Sequence, residues 1–141
     1  MRQSDTDYQE KKVFLGRWLP IRSRMNDTEM RLRELNIDDG VHSVVPSAAH
    51  VMMTLREYES RYEKAERLQE RLDNLVSRGK VVRKEIYEAL DSLDNPVEAA
   101  VLERYYIDGR TQYAISIDMD YSLRWIERVF MNGLAHITLP D

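Results

Sequence analysis

From Phe14 to Leu35, side chains fit to pack recur at a spacing of 4-3-4-3-4-3: Phe14, Trp18, Ile21, Met25, Thr28, Leu32 and Leu35. Seven positions at that spacing fall on one stripe of a helix, whereas a strand would alternate its faces every second residue. The intervening Arg17, Arg22, Arg24, Asp27, Glu29, Arg31, Arg33 and Glu34 read as the solvated face. Pro20 lacks a backbone N–H and crowds the preceding turn, so a kink or break is expected there. The pattern stops over residues 36–47, where Asp38-Asp39-Gly40 and Pro46 predict a loop and Ser47 a helix N-cap.

A second stripe follows, from about Ala48 to Leu93. Leu55, Tyr58, Tyr62, Ala65 and Leu68 begin it, and Leu72, Leu75, Gly79, Val82, Ile86, Ala89 and Leu93 continue it. Its 3-3 step through Ala65 reads as a stammer. One long helix cannot bury such a stripe alone. Its partner is expected to be the first helix folded back, or a second copy of the chain. The expectation is therefore an all-α fold: an antiparallel coiled-coil hairpin over residues 1–93, followed by a separate C-terminal unit over 94–141. Ile21, Met25, Leu32, Leu72, Leu75, Val82 and Ile86 should be buried, and Tyr58 and Tyr62 should join the hairpin core. Gly79 marks either a soft point or a close approach.

Composition narrows the class. Only five Gly and four Pro among 141 residues argue against a turn-rich β fold. With no Cys there is no disulfide framework and no thiolate metal site. The sequence has no run of 18 apolar residues, and Met1-Arg2-Gln3-Ser4-Asp5 has no apolar signal core, so a soluble cytoplasmic protein is expected. His42, His50 and His136 are dispersed, and no nucleophile–base arrangement or glycine-rich phosphate loop can be assembled. Neither an enzyme nor a cofactor or metal site is expected.

The last third is punctuated by helix signals. Asn95 as N-cap, Pro96 at the first position and Glu98 three residues past the cap predict a start, and Asp108-Gly109 an end. Thr111 caps a short helix to about Ile117, Asp118 to Tyr121 make a turn, and Ser122 caps a last helix to about His136. Val101, Leu102 and Tyr105, then Ile115 and Met119 with small Ser116, then Ile126, Val129 and Phe130 supply the facing surfaces. Three short helices so arranged predict a helix-turn-helix. Asp120 stands at the turn, where a left-handed backbone is needed and Asp tolerates it. Trp125 is expected to pack against the first of the three helices.

Leu93-Asp94-Asn95-Pro96, the run Leu102 to Thr111, Ile115, Tyr121-Ser122 and Ile126 resemble the C-terminal part of the RinA/ArpU-like phage regulators. Those are similar in turn to region 4 of bacterial sigma factors. The charged helical hairpin ahead of this block is typical too, so the resemblance spans nearly the whole chain. It implies a phage- or prophage-encoded, sequence-specific regulator that binds double-stranded DNA to activate late genes. The chain departs from the family pattern at Ala114 and Ser116, which flank Ile115.

Carried over by position, the recognition helix begins at Ser122 and presents Leu123, Arg124, Glu127, Arg128 and Met131 outward. Arg can pair with guanine, Glu can accept from cytosine and apolar tips can meet a thymine methyl. Arg110, Thr111 and Tyr121 stand where phosphate contacts are expected.

Charge runs against this reading. Net charge is −4. Residues 91–141 carry four Arg against nine acids, while residues 1–90 are near balance, with 17 basic and 16 acidic. Since phosphate neutralisation supplies most non-specific affinity, help is expected from homodimerisation, from RNA polymerase, or from hairpin residues such as Arg78, Lys80, Arg83 and Lys84. Two other functions fit a helix-turn-helix joined to helical elements. One is a protein-interaction module for RNA polymerase, a sigma factor or another phage protein. The other is a packaging recogniser such as a small terminase subunit.

Overall fold

A computed structural model describes residues 3–36 and 48–141, with side chains placed over 6–35 and 55–141. Among these the chain is all-α: α1 (Gln3–Leu15), α2 (Trp18–Asn36), α3 (Ala48–Leu90), α4 (Pro96–Tyr106), α5 (Gln112–Met119) and α6 (Leu123–His136). The expected loop over 36–47, the Ser47 cap and His42 lie outside the described residues, Asn36 apart. The contacts gather the chain into two compact units. One joins residues 1–22 to 79–141, and the other spans 23–78. Residues 94–141 thus share a unit with α1, the start of α2 and the end of α3.

The first helix breaks, but not at Pro20. The break falls at Gly16-Arg17, where Gly16 N–H donates to Lys12 O at 2.9 Å and Arg17 Nε to Phe14 O at 2.9 Å. Pro20 is instead the third residue of α2. First-turn N–H groups have no intrahelical acceptor, so Pro costs no bond there.

Within the first unit most of the stripe is buried: Trp18, Ile21, Val82, Ile86 and Ala89 are enclosed, joined by Leu15 and Leu90 from beside it, while Phe14 and Leu93 are half-buried. Gly79 is a close approach: a Cβ there would lie 2.8 Å from Trp18 Cζ3. Arg83 lies over the same ring, its guanidinium 5.0 Å from the Trp18 ring centre. Arg17 pairs with Glu85 at 3.1 Å.

Within the second unit burial fades. Leu75 is buried and Thr28 is buried with its hydroxyl donating to Arg24 O at 2.7 Å, but Met25, Leu32, Leu68 and Leu72 are only half-buried. Tyr58 and Tyr62 are exposed at 52% and 58%, against the expectation that they join the core. Two helices offer each stripe a single partner, and aromatic rings at the flank of such a seam remain in water.

Three short helices complete the first unit. Val101, Leu102, Ile115, Ile126, Val129, Phe130, Leu134 and Ile137 form their core. Tyr105 and Tyr106 set their rings 4.8 and 5.8 Å from Phe130. Burial, with Tyr105 and Tyr8 nearby, pushes the Tyr106 phenol well above the usual tyrosine range, and its hydroxyl has no partner among the described residues. Asn95 caps α4 by accepting from Val97 N–H at 2.9 Å. Glu98 does not close a capping box. It is buried and accepts from His136 Nδ1 at 2.9 Å, tying the start of α4 to the end of α6.

Candidate nucleic-acid interface

The turn between α5 and α6 is built from local signals. Thr111 Oγ1 accepts from Ala114 N–H at 3.1 Å and Ser122 Oγ from Trp125 N–H at 3.1 Å, so each helix begins on a side-chain cap. Between them Asp120 takes the left-handed conformation, φ 58° and ψ 46°, and Tyr121 N–H returns to Ser116 O at 3.0 Å. That fold-back lets α5 and α6 pack on one another, and Ile115, Ser116, Ile126 and Phe130 are all buried. Upstream, Gly109 at φ 74° ends α4. Arg22 from α2 donates to Ile107 O and Asp108 O at 3.3 and 3.2 Å, which fixes the turn leading into α5.

This packing decides which face of α6 is left to solvent. Ile126, Val129, Phe130, Gly133 and Leu134 turn inward, and Arg124 and Arg128 lie opposite them in the open. Neither guanidinium has a carboxylate within ion-pair distance among the described residues. Leu123 and Glu127 flank them, exposed. Trp125 is not enclosed: it is 43% exposed, one turn before Val129, with its ring 6.3 Å from that of Tyr121. The sequence reading therefore missed an exposed Tyr-Trp pair beside the recognition positions. The missed signal is its place in the first turn of α6, beside the outward positions Leu123 and Arg124.

Met131 is exposed, but its sulfur accepts from the Tyr8 hydroxyl at 3.0 Å. Just beyond it, Lys11 is only 7% exposed and donates to Leu134 O and Ala135 O at 2.9 and 3.2 Å. A buried ammonium on terminal carbonyls satisfies groups that a helix end otherwise orphans. So α1 holds the C-terminal half of α6, and the open face is the N-terminal one, residues 123–128. A recognition helix reads base edges with that half.

Arg110 already has a partner within the chain. Its guanidinium is engaged by Asp118, Nε and Nη2 each donating to one carboxylate oxygen at 2.8 Å. That bidentate pair bridges the start and the last turn of the α5 segment and neutralises the charge a phosphate would need. The open cations at this face are thus Arg124 and Arg128, opposed by Glu127 and Asp120. The first N–H groups of α6 and the hydroxyls of Thr111, Tyr121 and Ser122 supply neutral donors. Among the described residues no helix is long and apolar enough to cross a membrane, and no cluster of three His, Cys, Asp or Glu side chains could hold a metal. No family model, curated protein or solved structure matches the chain.

Proposed function

We propose that the chain is a sequence-specific regulator of transcription that lays the N-terminal half of α6 in the major groove of double-stranded DNA. One observation carries the reading: α6 buries one face completely while holding two unpaired arginines, Arg124 and Arg128, on the opposite face next to a capped, solvent-facing N-terminus. Arg124 and Arg128 read base edges, Glu127 and Leu123 add discrimination, and Thr111, Tyr121 and Ser122 meet phosphates. The likeness to RinA/ArpU-like regulators supports activation of late phage genes as the setting. The half-buried stripe of the 23–78 unit favours a homodimer. The test is selection from a random duplex library, followed by titration of the winning site. Arg124→Ala/Arg128→Ala should lower affinity for that site by roughly 10–100-fold and flatten preference at the contacted pairs. A folded double mutant that selects the same sequence with equal affinity would sink the assignment.

A second reading has its own observation. Tyr113, Ile117, Tyr121, Leu123 and Trp125 are large and exposed on α5 and the first turn of α6. Apolar groups at that density favour a protein partner, RNA polymerase or a sigma factor. Capture of polymerase by wild type and not by Ile117→Asp, with no duplex selected, would favour this reading. Enrichment of a single packaging-initiation sequence would favour a small terminase subunit.

A further inference from the structure

The two flanks of the α2–α3 seam differ in a way the fold does not require. On α2 the position just before each core residue of the Trp18, Met25 and Leu32 series is Arg17, Arg24 and Arg31. On α3 the equivalent positions, read backwards, are Glu85, Arg78, Arg71 and Lys64. In an antiparallel pair such positions face one another across the seam. In the first unit the outcome is an ion pair, Arg17 with Glu85. In the 23–78 unit the same positions are cationic on both helices. Arg24 lines one groove with Arg71 and Arg78, and Arg31 lines the next with Lys64 and Arg71, Arg67 being common to both. All six side chains are exposed, and none has an ion-pair partner among the described residues. Glu34 and Glu70 are the only acids on these grooves.

Like charges across a seam destabilise it, and a mixed arrangement would cost the hairpin nothing. In a chain of net charge −4 a row of six cations marks a place built for an anion. From Lys64 to Arg78 the row runs about 21 Å along α3, at 1.5 Å per residue. That length matches about six base pairs of duplex, which carry one charge per ~1.7 Å of axis. Five of the six are Arg, whose planar fork suits phosphate oxygens. We propose that this flank of the 23–78 hairpin is a phosphate-backbone site for double-stranded DNA, sequence-independent and separate from the reading face of α6. The choice of DNA as the polyanion rests on the proposed function.

The test uses the full chain and Arg24→Gln/Arg31→Gln/Arg71→Gln/Arg78→Gln. On a random-sequence duplex, the slope of log affinity against log salt should fall by about 3–4 units, from four lost phosphate contacts. Without DNA the variant should melt no lower than wild type, since it removes repulsion. An unchanged salt slope overturns the site, as does stabilisation of wild type by polyglutamate and not by duplex, which would mean an acidic protein partner. The two readings fail separately. If α6 does not read sequence, the quadruple variant still loses random-duplex binding; if the flank is not a site, Arg124→Ala/Arg128→Ala still loses specificity on an unchanged slope.

Discussion

The two ends of α3 carry the same heptad and meet different fates. Toward its C-terminus Val82, Ile86 and Ala89 are sealed; toward its N-terminus Leu72 and Leu68 are half open and Tyr62 stands in water. Polar groups divide likewise. In the first unit Lys11, Arg22, Arg17 and Glu98 each have a named partner. In the second, Arg24, Arg31, Arg71 and Arg78 have none among the described residues. A heptad specifies which face is apolar, and the number of neighbouring layers decides whether that face becomes a core. The better-packed unit uses these four charges to hold its shape and leaves Arg124 and Arg128 open, whereas the two-helix unit leaves a whole row of cations available.

The sharpest way to break this comparison is a matched pair of truncations. Ile86→Ala, at a fully buried site, should cost about 2–5 kcal/mol in urea unfolding. Leu72→Ala should cost clearly less, about 1 kcal/mol, because water already reaches it. Equal losses would mean that the seam is as well enclosed as the core. Next in size, Gly79→Ala drives a methyl into Trp18 and should destabilise by about 1–3 kcal/mol. A neutral result would show that Trp18 can yield. Ser122→Ala removes the cap of α6 and should cost about 1 kcal/mol, with DNA affinity falling alongside stability.

The smallest effect concerns Tyr106. Its orphaned hydroxyl makes Tyr106→Phe neutral or slightly stabilising at pH 7. The sign of its pH dependence follows from the raised phenol. Below about pH 10 both folded and unfolded forms keep the proton. As pH climbs beyond that, the unfolded chain releases it first, so stability falls, and Tyr106→Phe should lessen that fall. A wild-type melting temperature that changes with alkaline pH just as the mutant's does would assign the titration to other tyrosines.

What the sequence disclosed tracks how local each signal is. Asn95, Thr111 and Ser122 act within three residues of themselves, and Asp120 and Gly109 fix their own backbones, so these could be placed without a structure. The inner faces of α4 to α6 follow largely from helical period: Val101, Leu102, Ile115, Ile126, Val129 and Phe130 are buried as expected, whereas Tyr105 and Met119 are half-buried and Tyr106 takes a core place instead. The rest depends on residues far apart. Nothing in the neighbourhood of Lys11 tells of carbonyls at Leu134 and Ala135, and Arg110 looks free until Asp118, eight residues on, comes within reach. Glu98 has the spacing of a capping box but finds a stronger partner in His136. Trp125 stands one position from the fully buried Ile126, and helical period alone does not decide which side of that boundary it takes.

The bond from Lys11 to the Leu134 carbonyl joins residues 123 apart in sequence. Closing so long a span carries an entropic penalty that grows with its length, and contacts of this kind form late. The α5–α6 turn, set by neighbours in sequence, can assemble early. The far end of α6 should stay frayed until α1 docks. Folding should therefore show a fast phase in overall helicity and a slower one in protection of the last amides of α6. Lys11→Met would leave the first phase alone and abolish the second.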